Sequence, residues 1–525
     1  MNETSPLARK ASWRGGARYL AFALASLATL LALAYACENW RGRRAWQAHR
    51  RAWEAKGEKF DLAETMPAAM PDEKNLAMAP LLRPLLDCTA GPEGVVWHDT
   101  NGLARVRGIM AGLPSGHGTN ARLELASLEK ETFADLAAWG EFYRDNTNYP
   151  AAPPGASPAE TVVAALNKFE PEFRELREAA AARPGSRFPV QYSQEPPWGI
   201  MLPHLAAVKT ITMALQARAT AELELGRVAE AFEDFKSGLR LSESIREEPI
   251  VISHLVRMVT LGMAVQTIRE GLMRHAWTGG QLAEFQAALG AVNLPAEYKM
   301  MLRGERAGGV AELDYLRRHG GWGVEVEQFF GKDVTTCERL LRWAPSGWVY
   351  QNMLVASIIC QDFSLPAVDE RARRVFPDIS QSGSRALETR RGPFVLFARL
   401  FHPSLDRTLQ RMGRMQTFVD AARVACALER YRRANGAFPE TLAALVPRFC
   451  DTLPTDLIDG KPLRWRLRAD GGYRLYSVGW NQTDEGGELG WSQSDDSGVM
   501  SLMKEKNGAW VDPAKGDWVW QMPGR

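Results

Sequence analysis

The sequence has few of the residues on which small metal and redox sites are built. Its six cysteines include no C-x-x-C pair, and its eight histidines never come within five residues of one another. A zinc knuckle, a thioredoxin-type site and a local histidine cluster are therefore not predicted. Excess charge is also missing, because 64 Lys and Arg balance 62 Asp and Glu. No basic field favours nucleic acid as a partner.

The linear signatures of common enzyme sites are absent as well. The sequence contains no G-x-x-x-x-G-K-[ST] phosphate loop, no H-E-x-x-H helix, no G-x-S-x-G elbow and no G-x-G-x-x-G turn after a strand. Acid and base catalysis needs only two carboxyls that meet in space, as Glu325 with Glu327 or Glu305 with Glu312 could do. Charges on solvated helix faces are the favoured interpretation of these four residues, and no catalytic residue is predicted.

An uncharged apolar run, YLAFALASLATLLALAYAC, occupies residues 19–37. At about 1.5 Å per residue this run approaches the roughly 30 Å thickness of the hydrocarbon core. We predict a transmembrane helix at 19–37, with the lipid bilayer as its partner, because a buried core helix would need cover on every side. Two processing alternatives stay open. One is cleavage after Ala34-Tyr35-Ala36, and the other is a lipoprotein modification at Cys37.

The charges that flank the apolar run do not decide its orientation. Basic residues lie on both sides of it: Arg9, Lys10, Arg14 and Arg18 before it, and Arg41, Arg43, Arg44, Arg50 and Arg51 after it. A basic region followed by an apolar run is typical of a signal anchor, and large domains are often translocated despite flanking charge. We therefore predict that the N-terminus lies inside and that the bulk of the chain lies outside the cytoplasm.

Hydrophobic periodicity predicts a mainly α fold, with an N-terminal transmembrane helix, a large α-helical domain and a small C-terminal α+β module with an antiparallel sheet. The predicted segments are a basic N-terminal tail (1–18), the transmembrane helix (19–37), a juxtamembrane helix and linker region (38–122), the α-helical domain (123–330), an irregular connecting region (331–414) and the α+β module (415–525).

Regular helical spacing is clearest in the middle of the chain. Apolar residues recur at intervals of three and four over residues 205–223 and again over residues 228–239. This pattern predicts two antiparallel helices. A third helix is predicted to begin after Pro249, and Thr278 with Gln281 forms the capping-box signature of a fourth.

The C-terminal module combines a helix with a β-hairpin. Asn435-Gly436 predicts a left-handed helix end. Apolar residues and arginines alternate over residues 463–468, as in a half-buried strand. Asp470-Gly471-Gly472 predicts a turn, and residues 473–478 return as the partner strand. Cys426 and Cys450 are predicted to be buried free thiols, with a disulfide between them as the alternative outside the cytoplasm.

The same module carries a more specific pattern. Its parts are Ala427-Leu428-Glu429-Arg430-Tyr431, Gly436-Ala437-Phe438-Pro439, Thr441-Leu442, Leu445, Pro454-Thr455-Asp456, Gly460-Lys461-Pro462-Leu463, Tyr476-Ser477-Val478-Gly479 and Gly486-Gly487. This pattern resembles the globular part of the major pseudopilin of type II secretion. Further motifs lie outside this module: Arg183 to Pro189, Glu248-Pro249 through Arg257, Gly304-Glu305-Arg306 and Gly516-Asp517-Trp518-Val519-Trp520. With them the wider chain is similar to a family of large, single-pass bacterial membrane proteins to which no activity is attached. That similarity implies a bacterial cytoplasmic membrane.

The pseudopilin resemblance implies a calcium site. In pseudopilins the loop after the equivalent of Ser477-Val478-Gly479 binds calcium. Hard oxygen ligands are offered in this part of the chain by Asp484, Glu485, Glu488, Asp495 and Asp496. The EF-hand spacing is not met, so an ordinary acidic surface loop is the alternative. Pseudopilins also begin with a basic leader and a Gly-Phe-Thr-Leu-Ile-Glu type helix that runs straight into the module. Here the apolar run lies far upstream and lacks that motif, so incorporation into a pilus is not predicted.

These observations predict a membrane-anchored, extracytoplasmic protein with a non-catalytic binding or envelope-scaffold role and an unidentified envelope protein partner. One alternative is an envelope hydrolase whose catalytic residues are dispersed over the helical domain. The other is an accessory partner of a secretion or pilus-type system. A deep pocket with converging carboxylates or histidines would favour the enzyme, whereas a shallow apolar groove would favour binding.

Overall fold

Helices form most of the chain in the computed structural model, which describes residues 6–91, 94–113, 126, 128, 132–319, 344–492, 504–506 and 509–524. The α-helices of this part are α1 (Pro6–Glu54), α2 (Thr100–Ala111), α3 (Leu136–Arg144), α4 (Pro158–Leu166), α5 (Glu170–Ala182), α6 (Pro203–Glu224), α7 (Val228–Ser244), α8 (Val251–Met273), α9 (Gly279–Gly290), α10 (Leu294–His319), α11 (Ser346–Ile359), α12 (Pro377–Thr389) and α13 (Leu396–Asn435). The strands are β1 (Cys88–Gly91), β2 (Gly94–Trp97), β3 (Val368–Asp369), β4 (Arg374–Val375), β5 (Arg464–Leu467), β6 (Tyr473–Ser477), β7 (Leu489–Ser492), β8 (Lys504–Lys506), β9 (Ala509–Gly516) and β10 (Trp518–Met522). The predicted mainly α fold, with small antiparallel sheets near the C-terminus, is confirmed.

The predicted apolar run lies within α1, a helix of 49 residues. None of the residues in its most apolar 18-residue window is buried. Two other helical stretches, which contain α6 and α8, are also long and apolar enough to cross a membrane, but their windows are 44% and 61% buried. Those helices carry the buried charged residues Arg218 and Arg257 and pack inside the helical core. The uncovered apolar surface of α1 therefore makes it the helix best suited to span a membrane.

Beyond the apolar run, α1 continues without a break and packs along α11. A Cβ atom at Gly42 would lie 2.4 Å from the carbonyl oxygen of Gly347, so the two backbones approach too closely for any larger residue. Asn39 Oδ1 accepts a hydrogen bond from the Gly347 N–H at 2.8 Å, and His49 Nε2 lies 2.9 Å from Ser357 Oγ. The helix predicted to follow the apolar run is thus present as part of α1, and it is held directly against α11.

The four helices predicted in the middle of the chain are α6, α7, α8 and α9. The capping box of α9 is confirmed. Thr278 Oγ1 accepts a hydrogen bond from the Gln281 backbone N–H at 3.3 Å, and Gln281 Oε1 accepts one from the Thr278 backbone N–H at 2.9 Å. Both bonds satisfy N–H groups that the helix itself leaves unpaired.

Residues 344–414 contain helices where the sequence pattern predicts irregular structure. α11 and α12 lie here, and α13 runs through the predicted boundary between residues 414 and 415 without interruption. Gly383 lies inside α12, where an added Cβ would come within 2.9 Å of Phe363 and 3.3 Å of His402. This glycine is therefore explained by close packing inside a helix, which a single sequence does not distinguish from a loop.

The C-terminal helix α13 packs against a three-stranded antiparallel sheet in the order β10-β6-β5. β5 and β6 form the predicted hairpin, with Trp465 opposite Leu475. β10 pairs with the other edge of β6 and places Trp520 opposite the same leucine. The apolar core under this sheet continues into α8, α9 and α10, so the sheet and the helical domain share one core.

The two cysteines of the C-terminal module are free thiols, as predicted. Cys426 is buried and Cys450 is half-buried. Burial raises the pKa of both thiols above the ordinary value. Because the thiolate is the reactive form of cysteine, neither position has the character of a reactive or metal-binding site.

Candidate ligand cavity and acidic loop

Three of the predicted calcium ligands lie between β6 and the start of β7. Asp484 Oδ2 lies 3.6 Å from Arg464 Nε, and Glu488 pairs with Arg474 at 2.9 Å. Glu485 accepts a hydrogen bond at 2.6 Å from a side-chain amide of its own loop. Each of the three carboxylates therefore has a partner within the protein, so no calcium ion is required to satisfy it.

A further carboxyl, Asp517, approaches the same loop from the start of β10. Its Oδ2 accepts a hydrogen bond from the Gly487 N–H at 2.6 Å, and burial raises its pKa to about 6. Because Asp517 is a single aspartate between two strands, no motif in the sequence predicts that it reaches this loop. Asp495 and Asp496 lie outside the described residues, and within the described ranges no three His, Cys, Asp or Glu side chains are grouped as metal ligands. The calcium site stays a prediction.

The carboxylates of Glu305 and Glu312 do not form an acid–base pair. Glu305 accepts a hydrogen bond from the backbone at the start of α8, whereas Glu312 Oε2 accepts one from the Trp198 N–H at 3.0 Å. The two side chains hold different segments against α10. The other candidate pair, Glu325 and Glu327, lies outside the described residues.

A cavity of about 310 Å³ lies beside α10. Its walls come from α8, α10, α11, α13 and the segments near residues 62 and 197–202. Trp198 forms part of an aromatic wall, with ring centroids 5.4 Å from Phe397 and 4.6 Å from Phe401. Aliphatic side chains, including Ile252 and Met353, form much of the remainder. This volume and this lining are typical of sites for small apolar molecules.

The cavity depends on a glycine in the middle of α10. A Cβ added to Gly308 would meet one heavy atom within 4 Å, Trp198 Nε1 at 3.9 Å, so the space next to this residue is open. Glycine in a helix interior costs roughly 1 kcal/mol relative to alanine. No close packing explains its presence here, whereas a larger side chain would extend into the cavity.

His402, which lines the cavity, belongs to a serine–histidine–aspartate cluster that resembles a catalytic triad in composition. His402 Nε2 lies 3.3 Å from Ser384 Oγ and 3.4 Å from Asp406 Oδ2, and Ser384 donates directly to Asp406 at 2.6 Å. In a catalytic triad the serine and the carboxylate contact opposite ring nitrogens. Here both face Nε2, while Nδ1 is enclosed and has no partner in the described part of the chain. The arrangement of a catalytic triad is therefore not formed. Burial also lowers the pKa of His402.

Sequence reasoning did not find the cavity, because its walls come from segments far apart in the chain. For Glu305, one of its polar residues, the sequence suggests only a possible pairing with Glu312. A glycine pair within an otherwise regular helix, Gly308-Gly309, was the available signal. Comparisons of the chain with protein-family models, with curated proteins and with solved structures find no match.

Proposed function

We propose that the chain is a membrane-anchored, extracytoplasmic binding protein whose helical domain holds a small apolar molecule in the cavity beside α10. The observation that carries this proposal is the apolar cavity of about 310 Å³, kept open at Gly308. Apolar side chains that line such a cavity make fewer packing contacts with protein than they would in a filled core. An apolar ligand would restore those contacts.

Binding is favoured over hydrolysis by the arrangement of the polar groups. The Ser384 hydroxyl donates to Asp406 and not to a histidine base, and Glu305 and Glu312 are occupied by different backbone segments. The cavity is deeper than a shallow groove, but it lacks converging carboxylates and histidines. A non-catalytic role fits this lining better.

The position of α11 supports a role near the membrane. Ser357, Ala356 and Met353 of this helix line the cavity, and Gly347 of the same helix contacts Gly42 of α1. The ligand site is therefore one helix away from the predicted anchor. The bacterial cytoplasmic membrane, the envelope partner and the pseudopilin-like character of the last module remain parts of the proposal.

Filling the cavity at Gly308 tests the binding role. We expect Gly308→Leu to weaken the binding of hexan-1-ol by about tenfold or more, because three further carbon atoms beyond Cβ would occupy ligand space. The measurement is isothermal titration calorimetry on the full chain in lipid nanodiscs, with the heat of empty nanodiscs subtracted.

Gly108→Leu is the matched control for this experiment. Gly108 also lies inside a helix, α2, and an added Cβ there meets nothing within 4 Å, but the residue is exposed and α2 is not among the elements that line the cavity. This variant should bind hexan-1-ol as the unmodified chain does. Equal binding by the unmodified chain and Gly308→Leu, or no binding by either, would contradict the proposal.

The orientation is tested by a fusion after Arg525. Alkaline phosphatase fused at this position should be active, because the enzyme matures only outside the cytoplasm, while a green fluorescent protein fused there after ordinary secretion should stay dark. The opposite pair of results would place the helical domain in the cytoplasm.

A further inference from the structure

Glu305 is the carboxylate that lines the cavity. Its Oε1 accepts a hydrogen bond from the Val251 N–H at 2.5 Å. This bond caps the first turn of α8, because the residue before that helix, Ile250, offers no side-chain cap. Capping of α8 therefore accounts for Oε1 of Glu305, but not for its second carboxylate oxygen, Oε2. Oε2 has no hydrogen-bond partner in the described part of the chain, and Glu305 is one of the residues that line the cavity.

The other charged group of the cavity wall is turned away from this space. Arg306 donates from Nη2 to Glu58 Oε2 at 2.9 Å, and its guanidinium lies 4.3 Å from the ring centre of Phe60. Its unpaired Nε and Nη1 atoms are enclosed by protein, as is the Nδ1 atom of His402. Among the described residues, Glu305 Oε2 is thus the unpaired charged atom that a molecule in the cavity would meet.

The surroundings of Glu305 leave its charge uncompensated. Burial raises its pKa to about 7, and only the hydrogen bond from Val251 opposes this rise. The elements around it carry other titratable groups, among them Glu58, Glu248, His254, Arg257, Arg303, Arg306, Glu312, Cys360, His402 and Asp406. None of these groups contributes to the shift of the Glu305 pKa. A largely enclosed carboxylate without a cationic partner is unfavourable, whereas a cation with N–H donors would both neutralise it and satisfy its free oxygen.

The cavity reaches the surface close to this carboxylate. Ile252 lines the cavity and is 54% exposed, and its neighbour Val251 is bonded to Glu305. The aromatic wall of Trp198 and Phe401 lies within the same cavity. A ligand could therefore place a polar head near Glu305 and an apolar part against the rings.

We propose that the cavity selects an apolar molecule that carries a protonated amine, with the ammonium on Oε2 of Glu305 and the apolar part against Trp198 and Phe401. This inference rests on the proposed binding function. It adds the chemical class of the ligand, because a carboxylate head would be repelled by ionised Glu305 and a hydroxyl head would leave its charge uncompensated.

The test compares hexylamine, hexan-1-ol and hexanoate as ligands of the full chain in nanodiscs, by calorimetry between pH 6 and pH 8. An alkylamine stays protonated over this range, since amines of this kind titrate near pH 10. The ionised fraction of a carboxyl with a pKa of about 7 rises about tenfold from pH 6 to pH 8. Hexylamine should therefore bind about tenfold more tightly at pH 8, while binding of hexan-1-ol should not change.

Glu305→Gln is the matched variant, because its amide oxygen can still accept the hydrogen bond from Val251. It should bind hexylamine about tenfold or more weakly at pH 8 and lose the pH dependence, but bind hexan-1-ol as before. If this variant does not fold, the pH dependence of the unmodified chain remains as the test. Tighter binding of hexanoate, or pH-independent binding of hexylamine, would overturn the amine assignment. Absence of hexan-1-ol binding would instead overturn the proposed function.

Discussion

Replacing Arg218 by methionine is expected to lower the free energy of unfolding by about 3–5 kcal/mol. Arg218 contacts both carboxylate oxygens of Asp234, at 2.7 and 2.6 Å, and donates to Glu170 at 2.6 Å. Burial alone would lower the pKa of Arg218, but the hydrogen bonds to Asp234 and Glu170 reverse this effect and raise it. Asp234 is 2% exposed, so loss of the arginine would leave a buried carboxylate without its main partner. Urea unfolding followed by circular dichroism would measure the loss.

The double variant Arg218→Met/Asp234→Leu separates a missing ion pair from poor packing. Replacement of both charged partners by apolar residues is often nearly neutral, because no charge then remains unpaired. The double variant should therefore recover most of the stability that the single variant loses. A single variant that loses less than about 1 kcal/mol, or a double variant no more stable than the single one, would contradict this account.

Gly304→Ala is expected to destabilise the protein by about 3 kcal/mol, although alanine normally favours a helix. A Cβ at this position would lie 1.8 Å from the carbonyl oxygen of Pro249 and 2.6 Å from its Cβ. The opposing atoms include backbone, which cannot rotate away, so α10 would have to move away from the start of α8. That movement would also break the hydrogen bond between Glu305 and Val251.

Gly308→Ala provides the control in the same helix, one turn further along. The space beside Gly308 is open, so the alanine should gain helix propensity of up to about 1 kcal/mol. Thermal unfolding of the two variants should therefore shift in opposite directions relative to the unmodified chain. If the unfolding temperatures of both variants shifted in the same direction, the contact between Gly304 and Pro249 would not control the stability of the packing between α10 and the start of α8.

Local patterns in the sequence predicted the elements whose determinants are local. The apolar run of α1, the capping box at Thr278 and the hairpin of β5 and β6 each depend on residues close together in the chain, and each is present. The sequence pattern does not predict the start of α13, because its first turns carry a proline, Pro403, and follow Gly392-Pro393, a dipeptide typical of loops. Contacts with α11 stabilise these turns. The Asn352 side chain accepts from the Phe397 N–H at 3.0 Å.

The candidate site could not be predicted in the same way. The residues that line the cavity come from separate elements, and no regular spacing in the sequence relates them to one another. Five of them, each from a different element, are Trp198, Ile252, Glu305, Met353 and Phe401. For the same reason the sequence does not predict that β10 pairs with β6. The two strands lie about 40 residues apart in the chain and are not joined by a turn. The sequence predicts that Glu305 is a carboxylate on a helix. That it has no cationic partner follows only from the packing of the elements around it.

The unbroken length of α1 has a consequence for how the protein meets other molecules. From Cys37 to Glu54 the helix extends about 25 Å beyond the apolar run, and it is fixed to α11 along the way. Where α1 spans a bilayer, the helical domain cannot tumble freely, and rotation about the membrane normal is the main motion left to it. A partner in the same membrane would then meet the same face at every encounter, so part of the orientational entropy of association is already lost before contact. Partners dissolved in the surrounding compartment would instead reach the face turned away from the lipid.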